Sequence, residues 1–136
     1  MNYVLDACAM IAVLNGEEGA GVVKELFEKA EAGEVTVSMH SVNVLEVYYD
    51  RIRAINFETA DDFLNKLSLS PVTIIDTISA ALIREAGRIK AVYNPPLGDC
   101  FAFATASVTQ SVFVTTDHGD FDKIEKQEQY QFLWVR

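Results

Sequence analysis

The sequence is poor in the features that mark disulfide-stabilised or membrane-spanning proteins. It has two cysteines, Cys8 and Cys100, among 136 residues, which is too few for a disulfide framework. It contains no apolar run long enough to cross a bilayer, and no basic segment followed by an apolar one at its start. We therefore expect one domain, residues 1–136, that acts in the cytoplasm and has no membrane partner.

Basic residues are also scarce. The chain has 11 Lys and Arg against 20 Asp and Glu, which gives a formal net charge of −9. A protein of this charge does not coat nucleic acid by neutralising phosphates alone. If nucleic acid is the substrate, bound cations or a local basic patch must offset the repulsion. The composition therefore predicts that some of the carboxylates are metal ligands.

Short apolar runs alternate with longer amphipathic segments along the chain. The short runs predict strands at residues 3–5, 35–38, 72–75, 112–115 and 131–135. The longer segments predict helices at 7–14, 17–32, 40–54, 56–67, 98–109, and from a cap at 76 or 77 to about 91. Strands separated by helices favour a parallel sheet covered on both faces. We expect an α/β fold, a three-layer α/β/α sandwich with a central parallel sheet of four to five strands.

Two aspartates directly follow predicted strands. Asp6 comes after the first strand, and Asp117 follows the fourth within Thr115-Thr116-Asp117-His118-Gly119-Asp120. In such sheets the site lies beyond the carboxyl ends of the strands, so both carboxylates should project at one edge. Either residue alone is more typical of a helix N-cap. The two together indicate a shared site.

Two further carboxylates lie on predicted helices. Glu46 flanks the apolar stripe of the 40–54 helix, where an unpaired buried charge would be costly; a solvated Glu at the edge of the stripe is the alternative. Asp99 opens the 98–109 helix, and the free N–H groups of any first turn favour a carboxylate. That helix is nevertheless so apolar that it must be buried, which would place Asp99 at the interior edge of the domain. The apolar stripe of the 40–54 helix is assigned to Val42, Leu45, Tyr49 and Ile52.

Four clustered carboxylates have a coherent chemistry. They repel one another, so they either share protons or bind a cation. Oxygen ligands at a hydrated site suit Mg²⁺ or Mn²⁺, and such ions activate water for phosphodiester hydrolysis. No Ser-His-Asp or Cys-His arrangement competes. Metal-assisted hydrolysis is the best fit to these residues.

At this point the sequence resembles the PIN-domain nucleases, and within them the VapC-type toxins of toxin–antitoxin pairs. The resemblance spans essentially the whole chain, with four acidic motifs in the family's order and spacing. The matching segments are Tyr3-Val4-Leu5-Asp6-Ala7-Cys8, Ser41-Val42-Asn43-Val44-Leu45-Glu46-Val47-Tyr48, Leu97-Gly98-Asp99-Cys100-Phe101-Ala102-Phe103-Ala104, Val114-Thr115-Thr116-Asp117-His118-Gly119-Asp120-Phe121-Asp122 and Phe132-Leu133-Trp134-Val135-Arg136.

The resemblance implies a PIN fold and an acidic pocket for Mg²⁺ or Mn²⁺. It implies that Asp120 is a further acidic position, acting through water, and that Thr115 orients a carboxylate or the metal's water. It also implies endonuclease activity on single-stranded RNA, restraint by a cognate antitoxin, and a homodimer. By the same resemblance, the metal-binding and catalytic positions are Asp6, Glu46, Asp99 and Asp117.

One position departs from the family's pattern. Cys8 stands where many members carry Asn, Thr or Ser, two residues after the first Asp. A thiol is a weak hydrogen-bond partner, so support of the site from this position is in doubt. Among the few basic residues, we expect Arg51 or Arg53 to lie nearest the pocket, because they share the helix of Glu46.

Three alternatives remain open from the residues. A phospho-acceptor receiver domain would need a Lys after a later strand, and none directly follows residues 112–115. A PIN-like module that binds RNA or protein without cleaving it, or with a housekeeping role, would carry the same residue types, because geometry decides catalysis. An exonuclease with a two-metal acidic site would shorten RNA from its ends rather than cut internally.

Overall fold

The computed structural model describes all 136 residues, which form five strands and seven helices. The strands are β1 (Asn2–Leu5), β2 (Thr36–His40), β3 (Val72–Ile75), β4 (Val112–Thr115) and β5 (Phe132–Trp134). The helices are α1 (Ala7–Leu14), α2 (Ala20–Glu31), α3 (Ser41–Ala54), α4 (Phe57–Ser68), α5 (Ala80–Tyr93), α6 (Leu97–Val108) and α7 (His118–Glu128). None of these helices has the length and hydropathy needed to span a membrane.

The strands form one parallel sheet in the order β3-β2-β1-β4-β5. The predicted α/β fold with a central parallel sheet is therefore confirmed, with five strands. β1, the first strand in the chain, lies at the centre, and its neighbours β2 and β4 also end at the same edge. This order brings the residues that follow β1 and β4 side by side.

The two faces of the sheet carry different cores. The face under α1 to α4 is mainly aliphatic, with Leu5, Val37 and Met39 fully buried against these helices. The face under α5 to α7 is rich in Phe and Ala, and Phe103 meets Phe113 edge to face, with ring centroids 5.7 Å apart. Burial of these two faces is the main favourable term that holds the layers together.

Three details differ from the sequence-based expectations. Helix α7 was not predicted, because only Phe121 and Ile124 are buried in an otherwise polar segment. The cap of α5 is Ser79, whose hydroxyl accepts a hydrogen bond from the Leu82 amide, rather than residue 76 or 77. The stripe assigned to α3 was wrong in phase, since Leu45 is 58% exposed and the buried face of α3 contains Asn43, Val44, Val47 and Arg51.

Candidate metal centre

Asp6 lies at the centre of the carboxyl edge of the sheet. It follows β1 and caps α1, where its Oδ1 accepts a hydrogen bond of 2.8 Å from the Ala9 amide. Its Oδ2 accepts a hydrogen bond from the Thr115 hydroxyl at the end of β4. Asp6 is almost fully buried, and this burial raises its pKa from 3.8 to about 7 against the opposing effect of both hydrogen bonds. The carboxylate is fixed in place but poorly solvated, which is a state that a cation would stabilise.

Thr115 joins the ends of the two central strands. While its hydroxyl donates to Asp6, the same oxygen accepts a hydrogen bond of 3.0 Å from the Asp117 amide. Asp117 in turn caps α7, accepting a hydrogen bond of 3.1 Å from the Asp120 amide. One hydroxyl therefore holds the turn that carries Asp117 against the carboxylate of Asp6.

Three carboxylates converge beside this turn. One oxygen from each of Asp99, Asp117 and Asp120 lies within 4.8 Å of the others. Burial raises the pKa of Asp99 to about 9, and the neighbouring Asp120 carboxyl adds to the shift. Burial also raises the pKa of Asp117, with Asp120 again contributing. The Oδ2 atom of Asp99 is buried without a hydrogen-bond partner, so this oxygen lacks the acceptor contact that a buried carboxylate ordinarily has.

Glu46 reaches the site from α3 and is held by Asn43, one turn earlier. The Asn43 amide donates hydrogen bonds of 2.8 Å to Glu46 Oε1 and 2.9 Å to the carbonyl of Gly98. Asn43 is 1% exposed. The Glu46 carboxylate packs directly on the α-carbon of Gly98, where an added Cβ would overlap it. Burial raises the pKa of Glu46, and the bond from Asn43 opposes the shift.

Cys8 lies among these carboxylates. Burial raises the pKa of its thiol to about 12, and the charges of Asp6, Asp117, Asp99 and Glu46 add to the shift. The thiol is therefore protonated at neutral pH, whereas a reactive cysteine needs a stabilised thiolate. The position that departs from the family's pattern supplies a neutral, weakly polar group to the wall of the site.

The two arginines expected nearest the pocket contact other groups. Arg51 is buried, forms an ion pair of 2.7 Å with Asp50, and lines a cavity with Leu14 and Phe63. The Arg53 guanidinium lies over the Tyr49 ring, 5.0 Å from its centroid. No Lys or Arg forms an ion pair with Asp6, Glu46, Asp99, Asp117 or Asp120. The negative charge of the site thus has no protein cation to balance it.

The residues present fit a divalent metal ion. Their donors are carboxylate oxygens, which are the ligands that Mg²⁺ and Mn²⁺ favour. The raised pKa values and the unpartnered Asp99 oxygen show a site whose charges lack compensation within the protein. Sequence reasoning had selected the carboxylates but not Asn43 or Gly98, because an Asn and a Gly carry no charge pattern that would have marked them.

The fold agrees with the comparisons to known proteins. The PIN domain family model matches residues 3–127. The chain therefore belongs to the PIN domain family. A comparison with curated proteins finds no match.

Several solved structures similar to this chain are toxin–antitoxin complexes. The DNA-bound VapBC of Salmonella typhimurium has a TM-score of 0.75 at 16% identity, covering 100% of this chain and 99% of that chain. VapBC-1 of nontypeable Haemophilus influenzae has a TM-score of 0.73 at 17% sequence identity, covering 99% of this chain and 98% of that chain. VapBC2 of Rickettsia felis, bound to a promoter DNA fragment, has a TM-score of 0.71 at 19% sequence identity, covering 90% of this chain and 92% of that chain. At these identities the likeness establishes the shared fold.

Proposed function

We propose that this protein is a metal-dependent endoribonuclease that cleaves single-stranded or loop RNA, and that it is the toxin of a toxin–antitoxin pair in the cytoplasm. The observation that carries the proposal is the convergence of buried and half-buried carboxylates at the carboxyl edge of the sheet without a balancing cation. Membership of the PIN family and the fold shared with VapBC complexes support it.

In this proposal the acidic residues hold Mg²⁺ or Mn²⁺ around a phosphodiester. A bound ion would lower the pKa of an attacking water and neutralise charge that develops on the phosphate. Thr115 keeps the Asp6 carboxylate aimed into the site, and Asn43 does the same for Glu46. Asp120 lies close enough to Asp99 and Asp117 to support them directly or through water. The ligands would be Asp6, Glu46, Asp99 and Asp117.

This chain has an apolar cavity that suits the proposed antitoxin partner. A cavity of about 150 Å³ opens between α1, α2 and α4, with a mainly apolar lining that includes Met10, Phe27 and Phe63. An amphipathic helix places its apolar face into a groove of this kind. The net charge of −9 favours a basic partner. Large exposed apolar side chains on α3 and α5, such as Leu45, Ile83 and Val92, support the proposed homodimer.

The test uses purified, partner-free protein with linear and circular single-stranded RNA, in Mg²⁺, Mn²⁺ or EDTA. We expect both RNAs to be cut, with either metal and not in EDTA, because an endonuclease needs no free end. Asp99→Asn should abolish cutting. Asp62→Asn removes the same charge from an exposed position on α4 and should cut like the wild type.

Each other outcome contradicts a part of the proposal. Cutting of linear RNA alone would identify an exonuclease. Equal cutting by the wild type and Asp99→Asn would point to a contaminant. RNA binding without cutting in either metal would favour a non-catalytic RNA-binding module.

A further inference from the structure

An aromatic pair lies at the carboxyl end of β5. His118, the first residue of α7, stacks on Trp134 of β5 with ring centroids 3.8 Å apart and planes 9° from parallel. Trp134 is the only tryptophan in the chain, and its indole N–H donates a 3.0 Å hydrogen bond to Glu125. The two rings therefore form a parallel stack, and a hydrogen bond fixes the orientation of the indole.

The His118 ring is fixed at both of its nitrogens. Nδ1 lies 2.7 Å from Asp122 Oδ1, and Nε2 lies 2.9 Å from the carbonyl oxygen of Arg136. The side chain is nevertheless 50% exposed. One ring face is covered by Trp134 and the nitrogen edges are hydrogen-bonded, so much of the exposed surface belongs to the second face. The structure thus presents a flat aromatic surface whose orientation is set in advance.

The stack lies at the same edge of the sheet as the proposed cleavage site. Trp134 pairs with Thr115 across β4 and β5, and residues paired in a parallel ladder project to the same face of the sheet. Thr115 is the residue that hydrogen-bonds Asp6. His118 directly follows Asp117 and is two residues before Asp120. The aromatic pair therefore lies at the carboxyl edge of the sheet, with Trp134 one strand away from Thr115 and His118 directly after Asp117 in the chain.

We propose that the open face of His118, backed by Trp134, is a stacking platform for one unpaired nucleobase of the RNA, next to the phosphate that is cut. The inference rests on the proposed ribonuclease function and names a contact for its substrate. Proteins commonly hold the unstacked bases of single-stranded RNA on aromatic side chains. Stacking needs no positive charge, which suits a site without Lys or Arg partners. It is also tolerant of base identity, so the platform would favour unpaired over paired RNA rather than one sequence.

The test is a double-mutant cycle between the platform and the RNA. The protein variants are His118→Ala, which removes the ring, and His118→Phe, which keeps an aromatic face. The RNA variants each carry one abasic position near the cut. With wild-type protein we expect one abasic position to raise KM about tenfold, within the range for loss of one base–aromatic contact. With His118→Ala that position should have no further effect, while His118→Phe should behave like the wild type.

A second readout does not depend on cleavage. In Mg²⁺, an uncleavable RNA analogue should change the fluorescence of Trp134, and the same analogue lacking the critical base should not. Thermal unfolding of each variant checks that the fold is kept, and His118→Phe keeps the cycle informative if His118→Ala unfolds.

The outcomes separate this inference from the function on which it rests. Metal-dependent cutting in which each abasic position affects wild type and His118→Ala equally would overturn the platform and leave the nuclease intact. A protein that neither binds nor cuts RNA would overturn both.

Discussion

The two ends of the sheet differ in size and in chemistry. At the amino end, a cavity of about 430 Å³ is lined by uncharged polar side chains, among them Asn2, Gln110 and Gln131. At the carboxyl end, the carboxylates occupy no comparable cavity but have strongly raised pKa values. The larger opening has no Asp, Glu, His or Cys in its lining. The comparison shows that charge kept without compensation, rather than cavity volume, identifies the candidate site.

The cause of this difference is the direction of the helices. Helices α1, α6 and α7 all begin at the carboxyl edge, and Asp6, Asp99 and Asp117 occupy cap or first-turn positions there. Unpaired N–H groups and the helix macrodipole favour negative charge at such positions. The amino end instead receives helix C-termini, where Gln110 and Gln129 have positive φ angles of 54° and 52°. The helix termini therefore favour negative charge at the carboxyl end of the sheet and not at the amino end.

The largest expected effect is loss of activity at the carboxyl end. Asp6→Asn or Asp99→Asn should lower the rate of RNA cleavage by more than about 100-fold, because the loss should exceed the 10–100-fold typical of groups that only support a ligand. Circular dichroism should show an unchanged fold, since Asn keeps the shape of the side chain. Gln131→Ala at the amino end is the control, and a comparable loss there would invalidate the comparison between the two ends.

Removal of Asn43 should have a smaller effect on the same site. Asn43→Ala removes the 2.8 Å hydrogen bond to Glu46 and the 2.9 Å hydrogen bond to the carbonyl of Gly98. We expect a loss of roughly 10–100-fold in Mn²⁺ affinity, as for other residues that orient metal ligands. Isothermal titration calorimetry measures this without RNA. Unchanged Mn²⁺ affinity would show that Asn43 only links α3 to α6; Asn2→Ala at the amino end is the matched control.

The pH dependence of stability should separate the two ends further. Folded Asp6 and Asp99 keep their protons up to about pH 7 and 9, whereas an unfolded Asp loses its proton near 3.8. Between these values the folded state binds more protons, so the free energy of unfolding falls as pH rises. For metal-free protein in EDTA we expect Tm to drop by roughly 5 °C or more between pH 5 and 9.

A matched variant and added metal sharpen this measurement. Asp99→Asn should flatten the fall in Tm above pH 7, because the Asn cannot titrate. Mg²⁺ should restore Tm most at high pH, where it no longer competes with protons. A Tm that rises with pH in EDTA would contradict the assigned burial of these carboxyls.

The smallest effect is expected at the amino end. Gln129 follows α7 in the left-handed conformation. This backbone conformation costs a residue with a side chain about 1–2 kcal/mol more than it costs glycine. Gln129→Gly should raise the free energy of unfolding by up to about 1 kcal/mol, since glycine also gains entropy in the unfolded chain. Urea denaturation measures the change. RNA cleavage should be unaffected, and a parallel loss of cleavage would show that the two ends are coupled.

Much of the fold could be predicted because its signals are local. The strands at 3–5 and 112–115 are short apolar runs, and hydropathy alone marks them. Helix α7 was missed because its stability comes from two buried residues and from the cap at Asp117, which the sequence suggested only as a site residue. The phase of α3 was wrong because Asn43 and Arg51 are buried although they are polar. Only tertiary contacts reveal such residues.

The carboxylates of the candidate site could be predicted because charged residues next to predicted strands and apolar helices are visible in the sequence. Asp6 and Asp117 could be placed together because both follow parallel strands, and the structure joins them through Thr115. The pairing of Asn43 with Gly98 could not be predicted, because it links residues 55 positions apart through an uncharged amide. The stack of His118 on Trp134 depends in the same way on the register of β5.

Gly98 has a consequence for how this protein can evolve. Its α-carbon is the surface on which the Glu46 carboxylate rests, and every other amino acid would place a Cβ in that position. If the proposed toxicity exists, a selection for variants that have lost it should recover nearly all substitutions at this position, as often as at the acidic residues themselves. A residue with no side chain would then be as intolerant of substitution, in a mutational scan, as the proposed metal ligands.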